Sequence, residues 1–118
     1  MNDAADFLVT LLHASTNTHL LHWTTKSYAQ HKALGDFYTE LPELVDQVAE
    51  AMMGKFDMTF TFEGTYLPPQ STAKEELEDL KEYVEDTRTL LPQDSEIQNL
   101  VDEIAQLIDQ TLYLLRFP

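Results

Sequence analysis

His22, followed at once by Trp23, then His31, Asp46 and Glu50, puts two imidazoles and two carboxylates into the first half of a 118-residue chain. Imidazole with carboxylate suits iron, zinc or manganese. A mixed set with an open position favours Fe(II), which dioxygen or peroxide can oxidise. Asp46 and Glu50 are four apart and share one face of a helix. The chain has four histidines, and three of them, His19, His22 and His31, fall in this cluster. Ligation needs neutral imidazole, so metal binding is expected to weaken below about pH 6. The same residues also have a structural reading: histidines tied by buried hydrogen bonds, and acids on a solvated or interfacial face. Trp23, Tyr28, Phe37 and Tyr38 read first as packing. His19 reads as a residue behind the ligands and His13 as surface.

Four helical segments position these groups. The first runs from about Asp3 to Thr25, and on a wheel of 100° per residue Ala4, Leu8, Leu11, Leu12, Ser15, His19 and His22 form one stripe. Ser27 and Gln30 fit a capping box that opens the second helix, which carries Leu34, Phe37, Leu41, Leu44, Val45, Val48 and Met52 inward. Pro42 predicts a kink, since the stripe resumes in phase, and Gly54 predicts the stop. Asp46 and Glu50 lie well off that stripe and His31 lies at its edge. A site built from them sits outside the subunit core, which points to an interface between two chains.

Residues 55–71 read as non-helical, with Phe56, Met58, Phe60 and Phe62 alternating with polar residues. At roughly 3.3 Å per residue this segment reaches up to about 55 Å, while a 24-residue helix spans about 36 Å. It can return along the whole molecule and let helix three run parallel to helix two. The competing reading makes Phe56 to Phe62 an edge strand. Thr72 with Glu75 opens helix three, which buries Leu77, Leu80, Val84 and Leu91, with Tyr83 and Thr87 alongside, and runs to about Leu90. Pro92 ends it. Asp94 or Ser95 caps helix four, with Ile97, Leu100, Val101, Ile104, Ile108, Leu112 and Leu115 inward. The expected fold is therefore all-α: a single domain over residues 1–118, a four-helix bundle of ferritin-like arrangement with a long crossover.

Composition narrows the function classes. The net charge is −14, from 21 acidic and 7 basic residues, which repels phosphate backbones and argues against nucleic acid. There is no cysteine, so a disulfide framework and thiolate ligands are excluded. No apolar run is long enough to span a bilayer and the start of the chain carries no secretory pattern, so a cytoplasmic location is expected. Glu-x-x-His is absent, and helices three and four offer no inward carboxylate. A di-iron centre inside one subunit is therefore disfavoured.

The pattern His22-Trp23, then His31, then Asp46-Gln47-Val48-Ala49-Glu50 resembles the Dps branch of the ferritin-like superfamily. The resemblance implies that His22 and His31 of one subunit hold iron with Asp46 and Glu50 of its twofold mate, with ferroxidase activity. It also implies supporting places, behind the ligands, for His19, Asp36 and Trp23. Here the His22–His31 interval is shorter than the family's, and Gly35 stands where the family has an acid, with Asp36 adjacent. The family's basic DNA-binding arm is missing. The stretches Ser27-Tyr28-Ala29-Gln30-His31-Lys32-Ala33-Leu34 and Thr111-Leu112-Tyr113-Leu114-Leu115-Arg116-Phe117 are similar to short ferritin-like proteins encoded by tailed bacteriophages. That likeness implies host cytoplasm as the location. The expected partner is a second copy of the chain, at least a dimer. The alternative is a non-enzymatic homo-oligomeric module binding a host protein or small ligand at a subunit interface through its acidic surface and the Phe56–Tyr66 segment. A virion structural part is a third reading.

Overall fold

The computed structural model describes residues 3–69 and 71–118. Met1 and Asn2 of the opening and Gln70 of the crossover lie outside the described residues. Four α-helices follow in order: α1 (Asp3–Thr24), α2 (Tyr28–Phe56), α3 (Ala73–Thr87) and α4 (Ser95–Leu114), with no strand among the described residues. No described helix is long and apolar enough to cross a membrane.

The core is one continuous cluster in which Phe7, Leu11, Leu34, Phe37, Leu41, Val48, Met52, Leu77, Val84, Ile97, Ile104 and Ile108 are sealed from solvent. The inward stripes of α2, α3 and α4 are those that the 3.6-residue period picks out. Leu12 departs from the expectation for α1: it is 43% exposed, on a face that no other helix covers among the described residues.

Each helix has two neighbours. α1 packs on α2 and α3, and α4 packs on α2 and α3, so α1 and α4 face each other across one diagonal and α2 and α3 across the other. Directions follow from side-chain pairs. Asn17 meets Glu76 while Asp6 meets Tyr83, so α3 runs opposite to α1 and parallel to α2. Lys55 pairs with Glu96 at 2.7 Å, which sets the start of α4 beside the end of α2. The segment from Asp57 onward therefore climbs the full length of the molecule, whose long axis is 45 Å. It is extended but forms no edge strand. Met58 and Phe60 turn onto the helical core, and Phe62 stays 57% exposed. The alternation holds only at its centre, since Phe56 closes α2 and is 40% exposed.

The ends of the elements correct several expectations. Gly54 does not stop α2, which continues through Lys55 to Phe56 and ends where Asp57 turns left-handed at φ 52. Asp is among the few residues with a side chain that tolerate that region. The predicted capping box at Ser27 is half formed. Ser27 accepts from the Gln30 N–H, but the Gln30 side chain takes the Thr25 hydroxyl, and the Ser27 N–H goes to Thr25 Oγ1. α3 tightens into a 3-10 turn over Arg88–Leu90 instead of running on as α-helix. Leu91 is extended because Pro92 follows it.

α2 is helical straight through Pro42. A proline there has no N–H to give the carbonyl four residues back, which is that of Tyr38. Ser15 Oγ of α1 donates to the Tyr38 carbonyl at 2.9 Å. The polar interruption in the α1 stripe is thus the group that satisfies the acceptor freed by Pro42.

Candidate functional site

The α1–α2 turn brings His22 and His31 together. Their rings stack with centroids 3.7 Å apart and planes 15° from parallel. Each ring also donates across the turn: His22 Nδ1 to the His31 carbonyl at 2.5 Å, and His31 Nδ1 to the His22 carbonyl at 2.8 Å. The His22 carbonyl belongs to the last turn of α1 and lacks an intrahelical donor, so His31 caps that helix. A carbonyl only accepts, so both Nδ1 atoms carry the proton. In the neutral ring Nε2 then keeps its lone pair, the tautomer that a metal ligand needs.

Gly35 makes room for this clasp. A Cβ at that position would lie 3.1 Å from His22 Cε1 and 3.3 Å from His22 Nδ1. The glycine stands inside a helix, where it is about 1 kcal/mol worse than alanine, and the close approach of the His22 ring is what it permits.

Around the clasp runs a ladder of rings. Trp23 lies 4.7 Å from His19, which stacks on Tyr38 at 3.8 Å with planes 7° apart. Tyr38 meets His22 edge-on at 5.3 Å, and His31 lies 6.3 Å from Tyr28. The two ends are the most open: Trp23 is 65% exposed and Tyr28 77%. His19 is half-buried, with its ring 6.3 Å from that of His22. Phe37, grouped with these aromatics in the sequence, belongs to the core.

Asp46, Glu50 and Asp36 are exposed on α2. His31 and Asp46 are on one helix, so their separation along it is about 22 Å, and that to Glu50 about 28 Å, at 1.5 Å per residue. The acids therefore do not join the histidines of their own chain. Among the described residues no three histidine or acidic side chains gather so as to hold a metal. The two ring planes are stacked and nearly parallel, so their in-plane Nε2 lone pairs do not meet at one point, whereas ligands of one ion must converge at about 2.0–2.1 Å from it.

What His31, Asp46 and Glu50 share is a side. On the helical wheel they fall on the flank of α2 that looks outward next to α1, along with Thr39 and Met53. The adjoining outer stripe of α1 is Val9, Leu12, Thr16, Leu20 and Trp23, apolar at four of five positions. Together they form a two-helix face that no other element covers among the described residues.

A second polar centre has no local signature in the sequence. Asn17 is buried at 8% exposure and has both amide hydrogens engaged, by the Leu67 carbonyl at 3.2 Å and Glu76 Oε1 at 2.8 Å. Its oxygen accepts from the Tyr66 hydroxyl at 2.7 Å. It ties the crossover to α1 and α3 at once. His13, expected at the surface, is half-buried beside it and meets Tyr66 edge-on at 5.2 Å. Tyr83 donates to Asp6 Oδ2 at 2.6 Å, and burial, followed by that bond, pushes its phenol up to about 12.

The chain is 29% identical to the uncharacterized 14.6 kDa protein in the mobD-ri intergenic region of Enterobacteria phage T4, over 114 residues that cover 95% of this chain and 87% of the relative. No solved structure matches the chain. A family model described as a family of unknown function (DUF5856) matches residues 22–115, from the clasp to the end of α4, and the chain belongs to that family.

Proposed function

We propose that the protein is a Dps-like, ferritin-like homodimer that binds a divalent metal between protomers, with His22 and His31 from one chain and Asp46 and Glu50 from the other. The observation that carries this reading is the uncovered α1–α2 face. Two α2 helices packed antiparallel about a twofold axis near Thr39 and Glu40 put His31 of each beside Asp46 and Glu50 of its mate. The apolar stripe of α1, with Leu12 at 43% and Trp23 at 65% exposed, supplies surface for such a contact. The parallel α2 and α3 joined by a lengthwise crossover support the ferritin-like part of the reading.

The donor set fits Fe(II), with zinc and manganese as competitors. Bound Fe(II) would be the substrate, giving one electron to dioxygen or peroxide. This chain's own residues would hold the ion, and the imidazole that keeps its place would stay in the tautomer fixed by its Nδ1–H bond. Since the stacked rings do not converge, one of them must turn out of the stack to admit a single ion. The phage relative favours host cytoplasm as the location.

Subunit mixing tests the reading. A chain with His22→Ala and His31→Ala, and one with Asp46→Asn and Glu50→Gln, each bind no Co(II) alone. Mixed and reannealed, they regain one site per heterodimer, seen as the visible Co(II) absorption. No recovery on mixing refutes a shared site.

The second reading is a binding module without catalysis, which acts on a host protein or small ligand at a subunit interface. It is favoured by the crossover residues Phe62 at 57% and Leu67 at 67% exposure. A module of that kind keeps its oligomer and its ligand after chelation, whereas the metal-binding dimer loses its bound ion.

A further inference from the structure

A cavity of about 320 Å³ opens between α1, α3 and the crossover, lined by neither residue of the His22–His31 clasp. Its size is within the range of small-molecule sites. Its chemistry is one-sided. Glu76 and Asp79 line it and no lysine or arginine does. Several neighbouring hydrogen-bond donors are already committed: both Asn17 amide hydrogens, the Tyr66 hydroxyl to Asn17, and the Tyr83 hydroxyl to Asp6, while the Thr10 and Thr65 hydroxyls also line the wall. The Asp79 carboxylate and the second Glu76 oxygen remain as acceptors. Tyr83 and His13 contribute ring surface to the wall. Aromatic faces with two carboxylates and no cationic side chain select against anions and favour a cation.

We propose that this cavity binds a small organic cation, a compact amine carrying one or two ammonium groups. The ammonium donates to Asp79 and Glu76, and its methylene chain lies against Leu80 and the rings of Tyr83 and His13. Leu67 lines the mouth on the crossover and is tied to Asn17, so an occupant also holds that segment down.

Calorimetric titration with 1,4-diaminobutane tests this, in roughly 150 mM NaCl to screen diffuse attraction to the acidic surface. The neutral isostere 1,4-butanediol serves as control. Saturable binding of one diamine per chain is expected, with none for the diol. Asp79→Asn and Glu76→Gln each weaken it at least tenfold, while Glu103→Gln, an exposed acid on α4, leaves it unchanged. Glutamine at position 76 keeps an acceptor for Asn17, and Asp79 is exposed, so both variants are expected to retain the parent's helical circular dichroism. Ring resonances of His13, Tyr66 and Tyr83 shift with the diamine. Failure to saturate, binding of the diol, an equal loss in Glu103→Gln, or ring shifts confined to the α1–α2 turn would each overturn the proposal.

Discussion

At the level of single side chains, the His22–His31 clasp makes the sharpest demands. Each ring gives one hydrogen bond and half of a stack, so His22→Ala or His31→Ala is expected to cost about 1 kcal/mol for one partly exposed bond. Urea unfolding would read this as a lower midpoint at unchanged slope. Gly35→Ala sets two effects against each other. Alanine gains about 1 kcal/mol of helix propensity, but its methyl group meets the His22 ring, which is fixed on its other side by His31. The expected outcome is little net change in stability with a displaced ring, seen as shifted His22 and His31 imidazole resonances. Tyr83 gives a titration test. Its folded pKa of about 12 lies above the unfolded value of 10.0, so the protonated phenol is favoured by folding. The stability this confers is complete below about pH 10 and drains away as pH rises toward about 12. Absorbance near 295 nm should show one late tyrosinate step that Tyr83→Phe removes. The sequence exposed the histidines through their type and spacing. It did not expose Gly35, because whether a helical glycine is a defect or a berth depends on what approaches it from another helix.

Among the elements, two polar links decide how the helices sit. Ser15 serves the Tyr38 carbonyl that Pro42 leaves without a donor, so the two residues are thermodynamically coupled. Ser15→Ala is expected to cost about 1–3 kcal/mol while Pro42 is present, and much less in the Pro42→Ala background, where the alanine N–H restores the backbone donor. A double-mutant cycle measures that coupling directly, and additive effects would contradict it. This link was open to sequence reasoning: a proline in a helix names its orphan acceptor four positions back, and a serine in an otherwise apolar stripe is the natural donor. Asn17 was not legible in the same way. Its partners, Leu67, Tyr66 and Glu76, are some fifty or more positions away in sequence. Asn17→Ala leaves the Tyr66 hydroxyl and the Leu67 carbonyl without their partner and is expected to cost about 1–3 kcal/mol. Hydrogen exchange over residues 62–69 should rise more than anywhere else. Helix periods were readable because each registers within a few turns. The ends were not, because Asp57 and Arg88 end their helices with local backbone geometry that Gly54 and Pro92 only approximately foretell.

For the whole molecule, charge and shape act together. A chain of net charge −14 repels its own copies, so the proposed dimer should tighten as salt rises from about 10 to 150 mM and the Debye length falls from about 30 to 8 Å. Sedimentation equilibrium at the two ionic strengths checks this. Leu12→Glu, placed on the outward α1 stripe and away from every proposed ligand, should give monomers without lowering the unfolding midpoint. The order of packing has another consequence. Only short turns join α1 to α2 and α3 to α4, and the lengthwise segment is the single covalent tie between those two hairpins. Gly64, exposed and at φ +97, lies near the middle of that tie. A protease that cuts there would leave two helical hairpins whose apolar seams still match across the shared core, so the nicked pieces would hold together, and fragments made apart would find each other in solution.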